Sequence, residues 1–250
     1  MKKKIIALSL AAIIAVTAIA SASLAYLMDT DSADNVFTVG NVQIELVEQQ
    51  RGENGLEAFE DKKVLLPIVG SAQGDKDTLG MPTAANYVDK IVTVKNTGVS
   101  AAYIRVIVAI PAELEEANGA NGPLHWNLGN KFNGATDALY NAEVIWKYEV
   151  TAEIDAIKYN LYSFTYQTPV AGGAVTPYAA ITGFYLNSGV NNRVDENNKI
   201  VYTFNGKDIN YDLTKGFTVP VFAQAIQSDG FASADAAFAA SGLPVNPWAK

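Results

Sequence analysis

Apolar and polar residues alternate one for one along much of this chain, and a period of two is the signature of pleated sheet. Val42, Ile44 and Leu46 alternate with Gln43 and Glu45. The pattern returns in 88–95, with Val92 and Val94, and in 102–110, with Ile104, Val106, Val108 and Ile110. Arg105 falls on the opposite face of that last segment with Tyr103 and Ile107, and this parity predicts that it points outward. Asn96-Thr97-Gly98 between the two segments is a turn signal, for a hairpin or a crossing between sheets. Further strands are expected at 143–150, 159–167, 180–186, 199–204 and 217–227, where aromatic and β-branched residues dominate.

Helical signals are few. Pro111 followed by Ala112-Glu113-Leu114-Glu115-Glu116 predicts a short helix ending at Asn118-Gly119, its carboxylates complementing the positive N-terminal end of the dipole. Ser233 to Ala240 is a clearer case: Ser233 as N-cap, Asp235 in the first turn, then Gly242 and Pro244 as a stop. The Gly-, Asn- and Asp-rich stretches 49–82 and 117–141 read as long loops, and 187–198 as a polar turn. No repeat or linker divides the chain. The expectation is all-β: one jelly-roll-like β-sandwich over 26–250, with long loops and one or two short helices.

Apolar residues make up 49% of the sequence, enough to bury a core. Cysteine is absent, so stability must come from burial and backbone pairing, and neither thiol chemistry nor a cysteine metal site is open to the chain.

The first residues have the layout of an export signal. Lys2, Lys3 and Lys4 precede a run from Ile5 to Met28 without a charged side chain, and small residues gather at Ala20-Ser21-Ala22-Ser23-Leu24-Ala25. Cleavage is expected between Ala25 and Tyr26, with Ala20-Ser21-Ala22 as the second choice. The alternative is a retained anchor, since a bilayer span needs about 20 residues. The apolar core of the run, Ile5 to Ile19, matches a signal segment of roughly 7–15 residues better. Loss of residues 1–25 takes the three lysines with it, and the formal charge goes from −8 to −11. That charge disfavours nucleic acid and anionic membrane surfaces as partners. Any membrane contact is expected through an uncleaved leader alone.

Residues with a pattern for chemistry are few. His125, in Leu124-His125-Trp126-Asn127, is the one histidine, whereas a His-Glu-x-x-His zinc site needs two on one helix face. Gly-x-Ser-x-Gly and the phosphate- and dinucleotide-binding glycine motifs are absent. Asp29, Asp31 and Asp34 with Asn35, and Asp195-Glu196-Asn197-Asn198, are acidic runs without the spacing and closing glutamate of a calcium loop, and read as solvated turns. No catalytic residue, metal ligand or cofactor is expected.

After the leader come Ala25-Tyr26-Leu27-Met28-Asp29-Thr30 and Asn35-Val36-Phe37-Thr38-Val39-Gly40-Asn41-Val42. This segment resembles the TasA/camelysin family of exported proteins of Gram-positive bacteria. Leu27 and Met28 depart from the family's second aromatic and its threonine. Two later blocks are similar to the family's strand-turn-strand core and its closing strand: Lys90 to Gly98 with Ala102 to Val106, and Ala223 to Phe231. The resemblance implies a leader cut by a SipW-like signal peptidase, a jelly-roll sandwich, and an extracellular or cell-surface protein. It also implies assembly into biofilm-matrix fibres, with itself or with a related matrix protein. One family branch is described as a surface metallopeptidase, but no metal motif carries over. A secreted peptidase and a surface module binding carbohydrate or protein stay open as alternatives. Leu243-Pro244-Val245-Asn246-Pro247 begins like a sortase signal but lacks Thr-Gly.

Residues 26–47 are the expected assembly strand. Phe37, Val39, Val42, Ile44 and Leu46 are its apolar positions, able to pair with their own sheet or with the edge of a second copy.

Overall fold

The computed structural model describes residues 28–29, 36–39, 42–59, 65, 76–83, 87–115 and 122–249, the first two stretches as backbone. In chain order the strands begin with β1 (Met28–Asp29), β2 (Val36–Val39), β3 (Ile44–Gly52), β4 (Gly55–Ala58), β5 (Val88–Asp89), β6 (Ile91–Asn96) and β7 (Ala102–Pro111). Next come β8 (Leu124–Leu128), helix α1 (Asp137–Glu143), β9 (Val144–Ile154), β10 (Ile157–Tyr166), β11 (Ile181–Leu186) and β12 (Val190–Val194). β13 (Ile200–Phe204), β14 (Lys207–Asp208), β15 (Val221–Gln227) and helix α2 (Ala234–Ser241) complete the fold. It is the expected all-β sandwich with few, short helices.

The front layer is a six-stranded sheet in the order β1-β2-β15-β7-β10-β9. Its pairings are antiparallel except that of β2 with β15, which is parallel. The back layer joins two three-stranded sheets, β4-β3-β6 and β5-β11-β8. They meet because the chain entering β11 also pairs with the edge of β6: Thr176 N donates to Val94 O and Ala180 N to Val92 O, each at 2.8 Å. A third small sheet, β12-β13-β14, extends one end. In β11, Gly183 lies opposite Asp89, and a Cβ there would stand 2.7 Å from ring atoms of Tyr87, so the close crossing requires glycine.

Alternation sorts the core as expected. Ile104, Val106, Val108 and Ile110 of β7 meet Val92 and Val94 of the back layer, with Phe164, Tyr166, Ala223 and Ala225 beside them. Burying each large apolar side chain contributes about 1.5–3 kcal/mol, so this face dominates stability.

The outer face of the front sheet departs from expectation. Arg105 does lie opposite the core face, but it is only 8% exposed. Helix α2 and the chain after it cover that face. Tyr103 and Ile226 pack with Ala234, Ala237 and Phe238, and Ile107 and Ala109 with Tyr159, Leu161 and, at the margin, Trp248. Arg105 stacks over the Phe238 ring at 4.3 Å. Ser233 caps α2 by accepting from Ala236 N, and Gly242 ends it in the left-handed conformation at φ 67°.

Several expected loops carry structure. Within 49–82, β3 runs on to Gly52 and turns into β4. Arg51 then clips the following chain by pairing with Asp89 at 2.7 Å and Asp77 at 2.9 Å. Within 117–141 lie β8, a 3-10 stretch at Gly129–Gly134 and most of α1. Residues 187–198 include β12, which forms a hairpin with β13. The helix expected after Pro111 shrinks to one 3-10 turn, Ala112–Leu114, because Pro111 still belongs to β7. Glu115 therefore sits beyond the helical turn and complements no helix dipole.

Candidate functional site

The expected assembly strand divides between the two layers. β2, which holds Phe37 and Val39, adds to the edge of the front sheet, parallel to β15 in the register Val36–Ala223, Phe37–Gln224, Thr38–Ala225 and Val39–Ile226. β1 folds back on it, Met28 opposite Val39 and Asp29 opposite Thr38. Beyond residues 40–41 the chain belongs to the back layer, where Val42 and Ile44 are buried and Leu46 packs against the same core. Val42, Ile44 and Leu46 are thus fixed core positions, and β1 with β2 is the separable part. The cleavage residues Ala25 and Tyr26, and Asp31, Asp34 and Asn35, lie outside the described residues.

Energetics distinguish these two parts. β3 pairs with β6 over Ile44–Gln49 and with β4 from Gln49 on, and what fixes it is that its apolar side chains enter the core. β2 is four residues long and β1 two, at the end of a sheet. A short terminal ladder opens at far lower free energy than a strand anchored in the core. Opening it bares the ladder groups on one side of β15, the other side of which is held by β7.

At the opposite edge of the front sheet, Trp126 of β8 and Trp146 of β9 meet edge to face at 5.5 Å across the two layers. Tyr162 and Phe164 lie against both. Glu115 is held here. Its carboxylate accepts from Trp126 Nε1 at 3.0 Å, Asn160 Nδ2 at 2.9 Å and the Tyr162 hydroxyl at 3.2 Å. Burial pushes its pKa above the ordinary carboxylate value, against the opposing pull of those donors. Sequence reasoning placed Glu115 on a helix. The available signal was the alternation Leu124, Trp126, Leu128, which marks β8 and its inward face.

His125 is on β8 with its ring stacked on Tyr185 at 4.9 Å and its Nε2 2.9 Å from Asn187 Nδ2. Burial lowers its pKa. Asp195 turns the β12–β13 connection by accepting from Asn197 N and Lys199 N. Among the described residues no group of three or more His, Cys, Asp or Glu is placed to hold a metal ion, and no helix is long and apolar enough to cross a membrane. The arrangement offers backbone edges for pairing.

No family model, curated protein or solved structure matches the chain.

Proposed function

We propose that this chain is an exported structural protein, similar to the TasA/camelysin family, that assembles into extracellular matrix fibres by exchanging its N-terminal strands between copies. One observation carries the reading: β1 and β2 complete an edge of the front sheet, while the chain two residues later is built into the other layer. The register that β2 makes with its own β15 can be made without change with the β15 of a neighbour. Exchange of an identical element between copies loses no contact. When each copy gives its segment to the next and receives one from the last, the arrangement does not close, and a filament results. A SipW-like peptidase that frees Tyr26 is the expected partner for maturation.

The experiment uses the absence of cysteine. Thr38 and Ala225 are register partners, so strand pairing brings their Cα atoms within disulfide range. Thr38→Cys and Ala225→Cys are made as separate variants, mixed under assembly conditions and oxidised. A covalent dimer linking one variant to the other is expected, because each chain has a single thiol. A mixture that forms fibres without that link would refute exchange at this edge.

A further inference from the structure

The front sheet ends at β9, and no described strand lies beyond it. β9 is eleven residues long, and it exposes Ile145 (50%), Trp146 (40%), Tyr148 (45%) and Val150 (37%). A long edge with apolar side chains is a template for another strand, which folds usually blunt with lysine, proline or a bulge. β9 carries Lys147 and a bulge opposite Leu161 and Tyr162, but no proline. Its charges identify the strand that fits.

We propose that β9 pairs antiparallel with β9 of a second copy, about a two-fold axis through Tyr148. The register with β10 sorts its side chains by face. Trp146, Tyr148 and Thr151 lie opposite Phe164, Tyr162 and Asn160, on the inner face. Ile145, Lys147, Val150 and Ala152 lie opposite Thr165, Ser163, Leu161 and Tyr159, on the outer face. Glu149 is the residue that the bulge adds, and its side chain is 12% exposed. Its carboxylate accepts from Ser163 Oγ at 2.6 Å and pairs with Lys147 of its own strand at 3.2 Å, which puts both charges together on the outer face, where a second copy's pair can join them.

With the bulge counted as one position, an axis at Tyr148 sets Lys147 of each copy opposite the Glu149–Val150 position of the other. Trp146 then faces Thr151, Ile145 faces Ala152, and Tyr148 faces its own counterpart. Every pair shares a face. Opposite charges directly across a ladder attract and like charges repel, so both Lys147–Glu149 pairs favour this register. Moving the axis one position either way sets Lys147 against Lys147 or Glu149 against Glu149. The strand is complementary to itself in one register and repelled in its neighbours. A two-fold pairing closes on itself as a dimer, and it uses the edge opposite the one assigned to strand exchange, so neither interaction requires the other.

Tyr148→Cys tests the axis. Directly opposed residues of an antiparallel ladder have Cα atoms roughly 4.5–5.5 Å apart, within the span a disulfide bridges. Oxidation of the purified full chain is expected to give a covalent dimer. Ile200→Cys, on β13 and 55% exposed, is expected to stay monomeric under the same conditions. Lys147→Glu sets glutamate against Glu149 on both sides of the axis. It is expected to weaken the dimer about tenfold or more in sedimentation velocity, with combined Lys147→Glu and Glu149→Lys restoring it. Equal crosslinking of Tyr148→Cys and Ile200→Cys would overturn the proposal, as would a dimer indifferent to Lys147→Glu. Should the cysteine variant fail to fold, the charge series decides alone. Fibres with the Thr38–Ala225 link but no Tyr148 link would sink this pairing and leave strand exchange standing. The reverse result would do the opposite.

Discussion

Arg105 and Gln224 face each other across the β7–β15 ladder, and both Arg105 Nε, at 2.8 Å, and Nη2, at 2.6 Å, donate to Gln224 Oε1. Each then holds the C-terminal chain. Arg105 Nη2 donates to Leu243 O at 3.2 Å, and Gln224 Nε2 to Pro244 O at 2.9 Å. Gln224 is 1% exposed, so nothing from solvent replaces these bonds. Burial lowers the Arg105 pKa, partly offset by Glu149.

Arg105→Ala should therefore destabilise the protein by about 2–4 kcal/mol, since it strands Gln224 Oε1 and Leu243 O and removes the cover over Phe238. A solvent-facing arginine would give a loss under about 1 kcal/mol. Denaturant titrations of Arg105→Ala, Gln224→Ala and the double variant measure the pair, and a coupling of about 1 kcal/mol or more is expected.

Val106→Asp puts a carboxylate into the face that Val92 and Phe164 fill. Among the described residues no partner for the charge stands there, and the variant should lose several kcal/mol or fail to fold. Circular dichroism and solubility on expression report the outcome. Native-like melting would mean that the two faces of β7 had been exchanged.

Glu115 sets a pH dependence of known sign. Its carboxyl has a higher pKa in the folded chain than in the unfolded one because it is buried. Between the ordinary and the raised value the folded state holds the proton while the unfolded state has lost it. Stability therefore falls as pH rises through that window and is flat above it. Glu115→Gln removes this slope. The variant should gain relative to wild type as pH rises above the ordinary carboxylate value, as denaturant midpoints at each pH would show. Wild type gaining on Glu115→Gln with rising pH would mean that the donors from Trp126, Asn160 and Tyr162 outweigh burial.

Protein recovered outside the cell should begin at Tyr26, with a formal charge of −11 once Lys2, Lys3 and Lys4 are gone. Edman sequencing or intact mass decides this. Met1 retained in a membrane fraction would make the apolar run an anchor.

The alternation of β7 was legible because strict period two over many residues has one solution, and it correctly separated Val106 from Arg105. What covers the Arg105 face was not legible. Whether an alanine-rich helix such as 234–241 docks on a sheet depends on chain path, which periodicity does not encode. The polar strands were missed for a related reason. Gln49, Gln50 and Arg51 in β3 and Asn191, Asn192 and Arg193 in β12 carry no apolar repeat, and their ladders rest on neighbouring strands. The Glu115 site was hidden because it joins residues from β8, β10 and the chain after β7.

The parallel seam between β2 and β15 also fixes an order of events. On the proposed export route Val36 emerges outside the cell ahead of Ala223, its register partner. During that interval the segment has no docking site within its own chain. A neighbouring chain whose own β2 has opened does present one. Whether a newly made copy closes on itself or is captured thus becomes a race between an intramolecular encounter and a concentration-dependent one, and the density of finished chains sets the winner. Under the proposed exchange, a fold whose first strand waits for its last is self-sealing when dilute and polymerising when crowded.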